Sequence, residues 1–306
     1  MSHIFDALQR SEAEPAGAEP STTEPATLCV ATDLLQAAER KRRGAGAPSL
    51  DRQDYDRQDY ANSLEQFPSL PVSIPPNSRL VSVGEEQSLG AEKFRFLAVR
   101  LRQLRQNRPL KKVLITSTIP QEGKSTVAAN LACTLARRKQ HKTLLLEGDL
   151  RRPTVAEKFG LGRVPGLSEW LRGDTGTMNV YRLDALGLWV LPAGSAPENP
   201  LELMQSGKLA PLMEQLTAWF DWIVIDSPPV LPLADTSIWA RLADGIVLVT
   251  RKNITEKQQL QRGLEALETS KLLGALVNGS TYVAHSDYYQ RYGPAASSPE
   301  FPRAKK

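Results

Sequence analysis

A Gly-Lys-Ser-Thr run stands directly after an apolar segment and before a helical pattern. The apolar segment is Lys112–Ser117 (KVLITS), and the loop reads TIPQEGKST over residues 118–126. A strand, a loop and a helix in this order let backbone N–H groups surround phosphate groups. The residues predicted to contact a nucleotide are Pro120, Gln121, Glu122, Gly123, Lys124, Ser125 and Thr126. We expect Lys124 to reach the β and γ phosphate oxygens of ATP and Ser125 to contact Mg²⁺.

In this loop Thr118 replaces the first glycine of the phosphate-loop pattern GxxxxGK[ST]. Taken alone, the loop could therefore be an ordinary helix N-terminus instead of a phosphate site. Two other segments support the phosphate site. Residues 144–153 (LLLEGDLRRP) and 223–229 (IVIDSPP) read as buried strands that end in carboxylates. The carboxylates could be simple turn formers, but ligands of open α/β sheets bind at this edge of the strands.

Acids at that edge can position a metal ion and activate a hydroxyl group in phosphoryl transfer. The predicted catalytic residues are Lys124, Glu147, Asp149 and Asp226, and the predicted metal ligands are Ser125, Asp149 and Asp226. The sequence therefore predicts an ATP and Mg²⁺ site.

Short apolar runs alternate with longer helical patterns from about Leu80 onward. The predicted strands are 112–117, 143–147, 188–191, 222–226, 245–250 and 272–278; the predicted helices are 92–105, 124–139, 200–220, 235–243 and 255–269. Strands that are apolar throughout are typical of a parallel sheet covered on both faces. We predict a doubly wound, mostly parallel α/β sheet.

The composition narrows the class of protein further. The 306 residues are 41% hydrophobic and 24% charged, which excludes a wholly disordered chain. The two cysteines form no CxxC pair, which argues against a zinc site or a disulfide framework. With no membrane-spanning window or signal sequence, we expect a cytoplasmic protein.

Residues 92–112 hold eight basic residues and one acid. No nucleic-acid motif accompanies them, so we expect a helix surface and no nucleic-acid partner.

Composition also predicts three regions. Residues 1–79, rich in Ala, Glu, Pro, Ser and Thr, are expected to be disordered with short helices, and they include the tandem repeat DRQDYDRQDY. Residues 80–281 are expected to form the catalytic domain. Residues 282–306 read as a flexible tail that carries Tyr282, Tyr288, Tyr289 and Tyr292.

Residues 80–292 resemble the bacterial tyrosine autokinases of capsular and extracellular polysaccharide synthesis. That family has a variant Walker A loop with a proline ahead of its EGK or AGK, a Walker A′ segment of the form D-x-D-x-R, and a Walker B segment D-[ST]-P-P. The matching residues are Pro120, Glu122, Gly123, Lys124 and Ser125; Glu147, Asp149 and Arg151; and Asp226, Ser227, Pro228 and Pro229. GLSEWL at 166–171 is also similar to the family.

The resemblance implies a P-loop fold of the MinD/ParA-like branch and phosphorylation of the tail tyrosines in trans. It also implies a homo-oligomer and a membrane-embedded polysaccharide co-polymerase that activates the kinase, which would hold this cytoplasmic chain at the inner face of the membrane. A ParA- or MinD-like ATPase switch is one alternative, although its signature lysine is replaced by Ile119. A catalytically weak nucleotide-binding regulator of polysaccharide assembly is another.

The sequence departs from the family at two functional positions. Glu147 replaces the first A′ aspartate, which the resemblance implicates as the base toward tyrosine, and its side chain is one methylene longer. The family's ExxRxxR helix reads Glu92, Arg95 and then Ala98. On that helix Phe94, Leu97, Leu101 and Leu104 should share one face, with the charged residues opposite. The charged face suits either contact between subunits or simple exposure to solvent.

Overall fold

One sheet organises the part of the chain that the computed structural model describes, which is Leu64 and residues 67–279. Its strands are β1 (Lys112–Ser117), β2 (Thr143–Glu147), β3 (Tyr181–Leu183), β4 (Leu188–Leu191), β5 (Trp222–Asp226), β6 (Gly245–Arg251) and β7 (Leu272–Asn278). The spatial order is β3-β4-β2-β5-β1-β6-β7, and β3 alone runs antiparallel to its neighbour. The predicted mostly parallel α/β sheet is confirmed.

Helices connect the strands and cover both faces of the sheet. They are α1 (Val81–Gly84), α2 (Leu89–Asn107), α3 (Lys124–Ala136), α4 (Val155–Phe159), α5 (Leu167–Arg172), α6 (Pro200–Met204), α7 (Leu209–Trp219), α8 (Asp235–Leu242) and α9 (Lys257–Glu265). Short 3₁₀ turns lie at Pro76–Ser78, Asp184–Leu186 and Thr269–Lys271. No helix within the described residues is long and apolar enough to cross a bilayer.

Alternate residues of each strand face two separate hydrophobic cores. Val113 and Ile115 of β1 pack with α2 and α3, whereas Leu114 between them packs with α7 and α8 on the other face. The alternation follows from the period of two along a strand. Both faces are therefore apolar, which is why the strands read as uninterrupted hydrophobic runs.

Several predicted boundaries are wrong, each for a local reason. The helix predicted over 200–220 is two helices, α6 and α7, because Gly207 adopts a left-handed conformation (φ +81°) between them. The helices predicted over 124–139 and 255–269 are shorter at their ends, as α3 and α9 show. Strand β3 and helices α1, α4 and α5 were not predicted, because a strand of three residues and helices of one or two turns show no recognisable periodicity.

Residues 67–79 were predicted as part of a disordered region, and the structure corrects this for that stretch. The Leu70 N–H donates to the Arg182 carbonyl (2.9 Å), and the Arg182 N–H donates to the Pro68 carbonyl (2.9 Å). Leu70, Val72 and Ile74 pack against the core that contains α2 and α3. The packed part of the chain therefore starts before residue 80.

Candidate active site

The carboxyl ends of β1, β2 and β5 meet at one edge of the sheet. Glu147 at the end of β2 lies opposite Asp226 of β5, and Asp226 in turn lies opposite Ile115 of β1. The loop that follows β1 is the predicted phosphate loop. Strand order alone therefore brings Lys124, the A′ carboxylates and Asp226 together.

Glu122 shapes the phosphate loop from inside. Its buried carboxylate accepts hydrogen bonds from the Ile119 N–H (2.9 Å) and from the Thr255 hydroxyl. The backbone is left-handed at Gln121 (φ +67°) and at Gly123 (φ +94°). The loop therefore turns sharply at Gln121 and Gly123. The Glu122 side chain holds this turn by bonding both to the loop itself and to Thr255 in the segment after β6.

The last two strands supply further supports that the sequence did not reveal. Asn278 at the end of β7 donates from Nδ2 to the Glu122 carbonyl (2.9 Å), and Arg251 donates to the Gln121 carbonyl (3.1 Å). A Cβ on Gly123 would lie 2.2 Å from Asn278 Nδ2, so this approach requires glycine. The placement of Asn278 at a strand's carboxyl end was the signal that could have identified it.

Lys124 and Asp149 form the central ion pair of the site. Lys124 Nζ lies 2.9 Å from Asp149 Oδ2, and the two side chains are 14% and 4% exposed. Burial alone would lower the pKa of Lys124. The negative charges of Asp226, Asp149 and Glu147 outweigh that effect and hold the pKa of Lys124 above its ordinary value. The lysine is therefore a fixed cation beside the phosphate loop.

Asp226 is fully buried, and neither of its carboxylate oxygens accepts a hydrogen bond within 3.5 Å. Burial raises its pKa to about 6, against the opposing effects of the positive charge of Lys124 and of the Ser125 hydroxyl. A buried carboxylate without a partner is unfavourable unless a cation or a donor joins it. With the Asp149 carboxylate and the Ser125 hydroxyl at the same edge, the donor set is all oxygen, as Mg²⁺ prefers.

Within residues 67–279, no three His, Cys, Asp or Glu side chains are grouped so as to hold a metal ion by themselves. This arrangement fits Mg²⁺ bound with a nucleotide. Such ions are held by one or two carboxylates, water molecules and the phosphates of the substrate. The residues present thus fit a metal ion that enters together with its nucleotide.

Glu147 lies at the same edge but has different contacts from the other two acids. One carboxylate oxygen accepts from the N–H groups of Thr154 and Val155 (2.7 Å for Val155), and the other accepts from the Ala193 N–H (2.9 Å). Burial raises its pKa to about 7, although these three hydrogen bonds act in the opposite direction. Glu147 therefore joins the start of α4 to the loop after β4, and its role as the base stays a prediction.

Two residues of the family-like segments also hold the framework. Arg151 donates from Nε to Asp235 Oδ2 (2.7 Å), which ties the A′ segment to α8. Glu169 of GLSEWL accepts from the N–H groups of Gly166 (2.7 Å) and Ser195 (3.0 Å).

The sequence analysis missed one basic residue of the site, Lys158, which reaches the phosphate loop from α4.

The four tyrosines predicted as phosphorylation sites, Tyr282, Tyr288, Tyr289 and Tyr292, lie outside the described residues. The described chain ends at Gly279, directly after Asn278, so it ends at the phosphate loop.

A doubly wound parallel sheet with a phosphate loop and acids at one edge defines a P-loop nucleotide-binding protein. The sequence is 40% identical over 212 residues to "Tyrosine-protein kinase YwqD" of Bacillus subtilis, covering 68% of this chain and 89% of that protein. The chain therefore belongs to the family of bacterial tyrosine-protein kinases, as the resemblance predicted. No protein-family model matches the sequence.

Solved structures give the same family. The chimerical protein CapA2B2 is similar at a TM-score of 0.61 and 31% identity, over 72% of this chain and 97% of that one. The kinase domain of the Escherichia coli tyrosine kinase ETK is similar at a TM-score of 0.64 and 26% identity, over 71% and 84% of the two chains. The protein is thus a tyrosine kinase with the fold of these domains.

Proposed function

We propose that this kinase transfers the γ-phosphoryl group of ATP to tyrosines of its own tail. The proposed acceptors are Tyr288, Tyr289, Tyr292 and Tyr282. One observation carries the proposal: Lys124 and Asp149 form a buried ion pair beside Asp226, whose buried carboxylate accepts no hydrogen bond within 3.5 Å. A bound nucleotide and its cation would satisfy all three groups.

The tyrosine oxygen would form a bond to the γ-phosphorus while the bond from that phosphorus to the β,γ-bridging oxygen breaks, so ADP leaves. Lys124 and the backbone N–H groups of the phosphate loop would hold the β and γ oxygens in place. Ser125, Asp149 and Asp226 would hold Mg²⁺, which supplies charge neutralisation on the phosphates when bound.

The phenolic proton needs an acceptor at the end of β2. The sequence prediction is Glu147, and Asp149 is the alternative. The alternative gains weight because the oxygens of Glu147 already accept three backbone hydrogen bonds. Asp149 instead accepts from Lys124, a group that nucleotide binding would draw toward the phosphates.

We propose the same division of the chain as the sequence suggests, with the kinase domain over residues 80–281 extended at its start by the packed residues 67–79. The kinase would regulate polysaccharide synthesis or export from the cytoplasmic side of the membrane. There it would be activated by a membrane-embedded co-polymerase. This proposal rests on the family resemblance.

Self-assembly is proposed to use α2. That helix exposes Phe96 (53% exposed) and Val99 (44% exposed) beside charged residues. Ala98, which stands at the second arginine position of the family motif, is fully buried. Contact between subunits would therefore depend on Arg95 and the exposed apolar pair.

The test is the phosphotyrosine content of the full chain, purified after expression with the Lys124→Ala substitution. Removal of the loop cation should lower phosphorylation at least about 100-fold, because catalysis here is charge stabilisation and positioning. The matched control is Lys139→Ala, an exposed lysine between the end of α3 and the start of β2, at the amino-terminal ends of the strands. Normal phosphotyrosine in Lys124→Ala would refute the proposed site. Nucleotide binding without any phosphotyrosine in the unmodified chain would favour the nucleotide-binding regulator.

A further inference from the structure

A second lysine reaches the phosphate loop from the segment after β2. Lys158 lies in α4, and its Nζ donates a hydrogen bond to Thr126 Oγ1 (3.0 Å). Thr126 directly follows Ser125 on the first turn of α3. The ammonium group of Lys158 is therefore placed at the helix end that would face the phosphates.

The charge of Lys158 lacks a close counter-ion in the described part of the chain. Its one hydrogen-bond partner there is the neutral Thr126 hydroxyl, and no described carboxylate lies within 4.0 Å of its Nζ. Burial lowers the pKa of Lys158. Asp226 and Glu157 oppose that shift, while the charges of Arg79 and Lys124 add to it.

Asp226 and Glu157 act on Lys158 only from beyond 4.0 Å, so this partly buried cation would be stabilised further by an anion in direct contact with it. An ammonium group has three donors, so Lys158 can keep or exchange its bond to Thr126 while it contacts a phosphate oxygen. Lys124, by contrast, already contacts Asp149. The two lysines belong to different segments, α3 and α4, and both have their ammonium groups near the first turn of α3.

We propose that Lys158 is a second phosphate-binding residue of the nucleotide site and contacts the phosphates of ADP and ATP alike. The inference rests on the proposed ATP site. It adds a contact on the side of Thr126, one residue further into α3 than the Mg²⁺-contacting Ser125. The contact would therefore be with the α- and β-phosphates, which ADP retains.

The experiment measures the Kd of the full chain for a fluorescent ADP analogue (mant-ADP) with Mg²⁺ for the unmodified protein, Lys158→Met and Lys158→Arg. We expect Lys158→Met to raise the Kd about tenfold, which corresponds to about 1.4 kcal/mol. Lys158→Arg, which keeps the charge, should remain within about threefold of the unmodified protein. Lys139→Met is the matched control and should leave the Kd unchanged.

A second readout separates binding from folding. Because the charge of Lys158 lacks a close counter-ion, Lys158→Met should not lower the Tm of the nucleotide-free protein, yet it should reduce the Tm increase caused by ADP. An unchanged Kd in Lys158→Met, or a Tm increase with ADP as large as in the unmodified protein, overturns the proposal. If Lys158→Met fails to fold, Lys158→Gln is measured by the same two criteria. Absence of mant-ADP binding in the unmodified chain would instead refute the nucleotide site itself.

Discussion

Three carboxylates at one edge of the sheet have three different surroundings. Asp149 pairs with Lys124, Asp226 accepts no hydrogen bond within 3.5 Å, and Glu147 accepts three backbone N–H groups. The sequence places all three at strand ends, where ligands bind. Their different contacts divide the proposed work: Asp149 and Asp226 can receive a cation, whereas Glu147 holds two loops together.

The three backbone contacts of Glu147 should stabilise the fold. In Glu147→Gln, the amide NH₂ would face at least one backbone N–H, so we expect the free energy of unfolding to fall by about 1–3 kcal/mol. Glu147→Asp should also be destabilised, because the shorter side chain cannot reach both α4 and Ala193. Urea unfolding measures the effect, and turnover is compared at a temperature where each variant is folded. Unchanged stability of the Gln variant, together with complete loss of turnover, would instead identify Glu147 as the base.

The sequence predicted the charged residues of the site but not the network that shapes the phosphate loop. Thr255 and Asn278 contact Glu122 across 133 and 156 positions of sequence. No local pattern links residues so far apart. The orientation of the Glu147 carboxylate could not be predicted from the sequence either. It depends on the N–H groups at the start of α4, a helix of five residues.

Two glutamates hold the loop that follows β4. Glu147 accepts from Ala193, and Glu169 at the start of α5 accepts from Ser195. Gly194 between them is left-handed (φ +79°), and a Cβ there would lie 1.9 Å from Glu169 Oε2. The close approach of loop and helix therefore needs this glycine.

Glu169 makes the stability of this loop depend on pH. Burial would raise its pKa, but the Ser195 hydroxyl and the N–H groups of Gly166 and Ser195 prevail and lower it to about 2. A group with a lowered pKa in the folded state stabilises the fold above its unfolded pKa, about 4.3. That contribution is lost as the pH falls toward 2.

We therefore expect Glu169→Gln to lower the free energy of unfolding by about 1–3 kcal/mol at pH 6, and by clearly less at pH 3. Urea midpoints of both proteins at the two pH values measure this difference. The control is Glu214→Gln, an exposed glutamate on α7. A difference that is the same at pH 3 and pH 6 would contradict the role of the Glu169 charge.

Strands that are apolar throughout were predicted well and helices of one or two turns poorly, for a physical reason. Strands such as β1 and β5 carry enough buried residues to show their pattern, and both match the predicted bounds. Helices α4 and α5 are too short for that, and tertiary contacts such as those of Glu147 and Glu169 hold them in place. Two of the functional contacts, from Glu147 and Lys158, lie in or at α4.

The last strand leads the chain to the active site. Asn278 binds the phosphate loop, and the Gly279 N–H donates to the Asn278 side chain (2.9 Å). The tyrosines follow beyond the described residues. At about 3.4 Å per extended residue, Tyr292, 14 residues beyond Asn278, reaches at most about 48 Å, and Tyr282 about 14 Å. The three distal tyrosines therefore have a much longer reach than Tyr282, which suits an acceptor role in a neighbouring molecule.

We predict that phosphate is transferred between molecules. The test mixes a Lys124→Ala chain, whose tail is intact, with an active chain in which Tyr288, Tyr289 and Tyr292 are changed to Phe. Mass spectrometry should find phosphotyrosine on the Lys124→Ala chain, with a rate that rises with the concentration of the active chain. The Lys124→Ala chain incubated alone is the control and should stay unmodified.

Each phosphate adds about −1.5 to −2 charges to the tail, so modified tails should be repelled by neighbouring nucleotide phosphates and the assembly should loosen. If the inactive chain is never modified, while the unmodified protein phosphorylates itself at a rate independent of concentration, transfer occurs within one molecule and the proposed assembly is wrong.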